Sequence, residues 1–351
     1  MNENELKKID KSRMRKLLVD FPQQVEDAVC IGKKSIVPYK ASNIKNIVVT
    51  GLGGSAIGGD LLRSYLAEEL RVPFSVNRHY FLQEFVDRNS LVVVSSYSGN
   101  TEETIAAHKD ATRRGAKVLC ISSNGETELL AGRHRQPIIT IPKGYPPRAA
   151  LGYSFFTVLV ALAKMKLIAN KDKDIEETVS LLKKRARQYS VLSKQNTALH
   201  LSRKIHGKLP IVYSSADRFD VVNLRWRGQF AENAKVLAFG HVLPEMNHNE
   251  LVGWSRCSGM KRQMSEMAVI FLRDRADNKR VQIRMDITKG IVSEFADSVA
   301  EIYSEGWSLL ARIFSLIYLG DWTSYYLAIL NSVDPTPVKV IDYLKSELAK
   351  R

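Results

Sequence analysis

Three hydroxyls, Ser96, Ser98 and Thr101, crowd around Gly99 in the stretch Ser95-Ser96-Tyr97-Ser98-Gly99-Asn100-Thr101-Glu102-Glu103-Thr104. Hydroxyls beside a helix start suit a terminal phosphate monoester, whose three oxygens need several donors and gain from the unpaired N–H groups of a first turn. A second stretch, Gly51-Leu52-Gly53-Gly54-Ser55-Ala56-Ile57-Gly58-Gly59, offers related chemistry. It follows the β-branched run Ile47-Val48-Val49-Thr50 and opens into a helical pattern from Asp60 to Leu66. Strand, glycine turn and helix is how α/β proteins present backbone N–H groups to an anion, and glycine lets a ligand approach closely. Asn100 and Glu103 have the spacing of a capping box, and Glu102 and Glu103 are expected to face away from a bound anion.

Phosphate or dinucleotide is then the question. Gly51-x-Gly53-x-x-Ala56 matches a relaxed dinucleotide fingerprint. That fingerprint expects an acidic residue at the end of the next strand, to hold a ribose hydroxyl. Here that strand runs into Asn77, Arg78 and His79. Arg78 keeps an NADP phosphate open, so an NADP-dependent oxidoreductase stands as a rival. A tight turn that merely packs a helix on a sheet is the other alternative for the glycine loop.

The elements that must position these loops follow from periodicity. Apolar runs at Ile44–Thr50, Pro73–Val76, Leu91–Val94, Lys117–Ser122 and Pro137–Ile141 read as strands. Helical patterns alternate with them, notably over Glu103–Arg114, which predicts a doubly wound parallel sheet. Continuous apolar runs such as Leu91-Val92-Val93-Val94 fit strands buried on both faces. Residues 1–28 form a charged helical lead-in, with Leu17, Leu18, Phe21 and Val25 at helical spacing. Pro146-Pro147-Arg148 interrupts the chain before a long apolar helix, Ala149 to Leu167, and residues 175–206 read as helical and polar.

A second α/β pattern follows: strands at Leu209–Ser215, Met267–Leu272 and Val281–Met285, and helices at Phe219–Ala234, Ser298–Leu330 and, after Asp334-Pro335-Thr336-Pro337, Val338–Lys350. The expected organisation is an N-terminal domain over residues 1–168, with the phosphate-binding loops, and a C-terminal domain over 169–351.

Composition bounds the function. The chain has 351 residues and a net charge of +15, from 52 basic against 37 acidic residues. That charge invites a nucleic-acid reading, but no basic stripe interleaved with aromatics accompanies it. A solvated surface that draws anionic metabolites is the better account. The most apolar window, Leu151–Leu162, is too short to span a bilayer, and Met1–Lys8 lacks the apolar stretch of a secretory signal. Cys30, Cys120 and Cys257 lie far apart without a CxxC pair, which points to a reducing cytoplasm and no cysteine zinc site. The seven histidines show no HxxxH or HxH spacing, so no metal is expected.

Single residues add less on their own. Phe219, Val222, Trp226 and Phe230 line one helical stripe, and Glu232 falls off it, toward solvent or a cleft. His248 sits in a polar loop between Asn247 and Asn249, and Arg148 stands after two prolines at a helix start.

Together these motifs resemble a known family. Gly53-Gly54-Ser55-Ala56-Ile57-Gly58 and Ser96-Tyr97-Ser98-Gly99-Asn100-Thr101-Glu102-Glu103-Thr104 are similar to the signatures of the sugar isomerase (SIS) domain. Pro147-Arg148-Ala149-Ala150-Leu151-Gly152, Glu245-Met246-Asn247-His248-Asn249-Glu250 and Asp334-Pro335-Thr336-Pro337-Val338 narrow the match. Over residues 40–348 the chain resembles the bifunctional phosphoglucose/phosphomannose isomerase family. The resemblance implies an α/β fold of two doubly wound SIS domains with flanking helices. It also implies a cofactor-free homodimer without metal, acting on hexose 6-phosphates and engaging neither nucleic acid nor membrane.

By that resemblance Glu232, within Gly228-Gln229-Phe230-Ala231-Glu232-Asn233-Ala234-Lys235, is the catalytic base. His248 opens the sugar ring, reaching the partner subunit's site, and Arg148 steadies an enediolate. Gly54, Ser55, Ser96, Ser98 and Thr101 hold the phosphate. Thr336 leaves room for the C2 epimer, and Lys345 contacts substrate, with Lys339 competing for that role. A non-catalytic SIS module that senses a phosphosugar is the alternative from another class.

Overall fold

The computed structural model describes residues 1–256, 259–348 and 350, so Cys257 lies outside the described residues. The lead-in folds as α1 (Glu3–Ile9), α2 (Met14–Val19) and α3 (Phe21–Lys34). Then come β1 (Asn46–Thr50), α4 (Gly53–Leu66), β2 (Phe74–Asn77), β3 (Ser90–Ser96), α5 (Glu102–Arg113), β4 (Lys117–Ser122), α6 (Glu126–Arg133) and β5 (Ile138–Thr140). The apolar helix α7 spans Leu151–Lys164. Residues 175–206 hold two helices, α8 (Asp172–Tyr189) and α9 (Thr197–Ile205), because Asn196 caps the second through Leu199 N.

The second pattern comprises β6 (Leu209–Ser215), α10 (Asp220–Gln229), β7 (Phe239–Leu243), α11 (Lys261–Met264), β8 (Met267–Arg273), α12 (Lys279–Val292), β9 (Ser298–Tyr303), α13 (Leu309–Leu330) and α14 (Lys339–Leu348). Two expectations are corrected here, and one strand was not read at all. Val281–Met285 is helical, inside α12, where Asn278 caps the N-terminus and Met285, Thr288 and Val292 are buried at helical spacing. Ser298–Tyr303 is a strand rather than the start of a helix, paired in parallel with β8. Strand β7 carried no apolar run strong enough to be read from sequence, since Phe239 is exposed and only Leu243 is buried.

Two compact units result: Asp20–Ser180, and Met1–Val19 together with Leu181–Arg351. The expected boundary at 168/169 thus differs from the division at 180/181 within α8, and the first nineteen residues lie with the C-terminal unit. In the unit Asp20–Ser180 a five-stranded parallel sheet has the order β2-β1-β3-β4-β5. Its central strands β1, β3 and β4 are buried on both faces, and Val48, Val92, Val94, Val118 and Cys120 share one core with Ala107 and Ala111 of α5. Burial pushes the Cys120 thiol up to about 12, so it behaves as a small apolar side chain. In the other unit a four-stranded parallel sheet has the order β7-β6-β8-β9. Helix α13 is long and apolar enough to cross a membrane, but 94% of its apolar window is buried in the fold, as befits a core helix.

Candidate active site

In the unit Asp20–Ser180, β1 and β3 pair with Thr50 opposite Val94, so the loops that follow leave the same edge of the sheet. They touch there. Tyr97 N donates to Ser55 Oγ at 3.2 Å, and a Cβ on Gly51 would stand 2.7 Å from Ser95 O. Ser96 Oγ lies 3.5 Å from Thr101 Oγ1, and Asn100 N donates to Ser98 Oγ at 3.3 Å. Ser55 and Ser96 are buried, Thr101 is half-buried and Ser98 is exposed, so the hydroxyls form a graded wall from interior to solvent.

Gly54 shows why this loop needs glycine: a Cβ there would meet Pro147 O at 2.5 Å. The loop therefore seats against the short 3-10 turn Pro147–Ala149, which delivers Arg148, 4% exposed, just ahead of α7. Gly54, Ser55, Ser96, Ser98, Thr101 and Arg148 are brought to one edge.

The expected capping box does not form. Thr101 is the N-cap of α5, without a side-chain cap bond, and Asn100 Oδ1 instead accepts from Glu126 N at 3.0 Å. Gly99 causes this: at φ +71 it lies against Asn124 O, where a Cβ would stand 1.7 Å away, and this draws Asn100 to the start of α6. At the end of β2, Asn77 donates to Thr50 Oγ1 at 3.2 Å and to His79 O at 2.9 Å, and Arg78 pairs with Asp60. The arginine kept open for an NADP phosphate is thereby engaged by a carboxylate.

In the other unit, the stripe Phe219, Val222, Trp226 and Phe230 is buried as expected. Helix α10 does not run on to Ala234, however. It ends in a π turn, Phe230–Ala234, a feature that often marks functional sites. Glu232 stands half-buried on that turn and lines a cleft of about 1390 Å³ with Lys235, Asp334 and Lys339. Lys235 adopts a left-handed backbone (φ 58°), and its ammonium donates to Glu232 O at 2.6 Å and Pro335 O at 3.1 Å. This ties the Glu232 turn to the segment carrying half-buried Thr336, whose N–H donates to Asp334 Oδ1 at 3.0 Å. Sequence reasoning passed over Lys235, because no spacing rule marks a lysine that works through backbone carbonyls.

Lys345 lies on α14, which buries no residue, and does not line this cleft; Lys339 does. His248 is exposed in the 3-10 turn Glu245–His248, away from the lining of the Glu232 cleft. Its loop is anchored on both sides. Asn247 Nδ2 donates to Thr288 Oγ1 at 2.9 Å, and Glu250 accepts from Tyr213 OH, which itself accepts from Trp254 Nε1 at 2.9 Å. Burial and the Glu250 carboxylate push the Tyr213 phenol well above its ordinary value. Among the described residues no group of three or more His, Cys, Asp or Glu side chains could hold a metal ion.

Two family descriptions match the chain. Residues 41–169 match the SIS domain, and residues 194–348 match the bacterial phospho-glucose isomerase C-terminal SIS domain. A bifunctional phosphoglucose/phosphomannose isomerase from Caldicellulosiruptor bescii is 46% identical over 333 residues, covering 94% of this chain and 97% of the relative. A protein of the same name from Aquifex aeolicus is 37% identical, covering 90% and 93%. Among solved structures, a hypothetical protein from Thermus thermophilus superposes with a TM-score of 0.75 at 14% identity, covering 99% of this chain and 94% of that one. That last likeness shows the fold alone.

Proposed function

The chain belongs to the bifunctional phosphoglucose/phosphomannose isomerase family, and we propose how its residues divide the work of an aldose–ketose isomerase. The enzyme interconverts glucose 6-phosphate and mannose 6-phosphate with fructose 6-phosphate. In this reading the proton moves between C2 and C1 through an enediolate. Ser55, Ser96, Ser98 and Thr101, with the backbone at Gly54, hold the phosphate. Glu232 takes and returns the proton as general base and acid, and Arg148 steadies the charge that develops on the enediolate oxygens. His248 shuttles the ring-oxygen proton near neutral pH, acting across a homodimer in the cytoplasm. Thr336 lets either C2 epimer fit, and Lys345 or Lys339 contacts the substrate.

The observation that carries this reading is the placement of Glu232: half-buried, on a π turn, at the wall of an open cleft. A carboxylate on a regular, solvated helix face would have no such setting. Purified enzyme in excess EDTA is expected to turn over both aldose phosphates, and Glu232→Gln to lose nearly all turnover of both while still binding fructose 6-phosphate. Sedimentation equilibrium showing a monomer would remove the dimer. Binding of phosphosugars without any isomerase activity would favour a sensing module instead.

A further inference from the structure

The π turn that carries Glu232 is lashed to α13 by side chains that succeed one another along both elements. Trp226 Nε1 donates to Leu316 O at 2.9 Å. Asp321, itself buried, accepts from Arg225 Nε and Nη2 at 3.1 and 2.8 Å and from Gln229 Nε2 at 2.7 Å. One turn further, Asn233 Nδ2 donates to Ser324 Oγ at 2.9 Å, and Ser324 Oγ donates to Asp321 O at 2.7 Å. Asn331 Nδ2 closes the series on Ala234 O at 3.0 Å.

A π turn is a rare departure from the α-helix, found mostly as a single turn and often at functional sites. Asn233 is the residue after Glu232 and is 1% exposed; Ser324 is fully buried. Fixing Asn233 toward α13 leaves Glu232 directed at the cleft, because adjacent residues on a helical turn point in different directions and of the two only Glu232 lines the cleft. Neither Asn233 nor Ser324 lines the cleft itself.

We propose that Asn233 and Ser324 are positioning residues that set the aim of the Glu232 carboxylate. The inference rests on Glu232 as the base. A misplacement of the order of 1 Å costs about 10²-fold in rate. Asn233→Ala and Ser324→Ala are therefore expected to lower kcat by about 10- to 100-fold. The KM for fructose 6-phosphate should stay within a factor of about 3, since the phosphate contacts are untouched. Ser324→Thr keeps the hydroxyl and should recover most of the loss.

Thr323→Val is the matched control. It removes a buried hydroxyl from the neighbouring residue of α13 that bonds back along the helix, to Leu319 O at 2.7 Å, and should leave kcat unchanged. If Ser324→Ala does not fold, Asn331→Ala tests the same strap from its half-buried end, with a smaller drop in kcat. Wild-type kcat in Asn233→Ala and Asn331→Ala, or a loss in Thr323→Val equal to theirs, overturns the proposal. Full activity in Glu232→Gln would instead remove the reading on which it rests.

Discussion

Ser96 sits at the buried end of the hydroxyl wall, so a phosphate reaching it leaves water behind, and a missing donor there is not replaced by solvent. A hydrogen bond to a charged group contributes about 1.5–3 kcal/mol, so Ser96→Ala is expected to raise KM for fructose 6-phosphate by about 10- to 100-fold. Steady-state kinetics check this, and Ser98→Ala, at an exposed position, should cost less. The hydroxyl cluster was legible in sequence because three hydroxyls around one glycine exceed what a turn requires, although Ser98 Oγ also accepts from Asn100 N and Thr101 is the N-cap of α5. Asn100 and Glu103 misled for the opposite reason. Their capping-box spacing is real, but Gly99 bends the chain so that Asn100 serves α6 instead.

At the scale of elements, the central strands β1, β3 and β4 of the first sheet were legible because burial on both faces writes an unbroken apolar run. Strands β7 and β9 are edge strands, and their residues are mostly half-exposed, so they leave no such trace. The π turn is likewise invisible to a period of 3.6, and it takes the straps from α13 to reveal it. Helix α5 carries a testable pH dependence. His108 is fully buried, with Nε2 2.6 Å from Gln136 Oε1, and burial holds its imidazole below the ordinary value. The fold therefore favours the neutral ring. Below about pH 6.5 the unfolded chain takes up a proton that the native chain does not, so stability falls as pH drops through that window. Thermal melts between about pH 7 and 5 should show Tm declining, and His108→Gln should flatten that part of the decline.

For the whole molecule, the lead-in has more consequence than its charged sequence suggests. Helices α1 and α2 belong to the unit formed with Leu181–Arg351, where Leu6, Met14 and Leu18 are buried and Tyr318 OH donates to Leu18 O at 2.7 Å. The helical spacing of Leu17, Leu18, Phe21 and Val25 marked an apolar face on the lead-in, but not which part of the chain it would meet, because a contact across some three hundred residues leaves no local pattern. Leu6→Ala is expected to destabilise the protein by about 2–4 kcal/mol in urea denaturation, as a cavity-forming change in a core. Activity measured well below the midpoint should be little changed. The family and its pair of α/β domains were legible from five short motifs, whereas two of the second sheet's four strands, β7 and β9, were not.

Isomerisation of fructose 6-phosphate in deuterium oxide, followed by NMR, tests the role of Glu232 most directly. Proton transfer through an enediolate by a solvent-exchanging carboxylate predicts deuterium at C2 of both glucose 6-phosphate and mannose 6-phosphate, and none in Glu232→Gln. Unchanged incorporation in the Glu232→Gln enzyme would contradict the assignment.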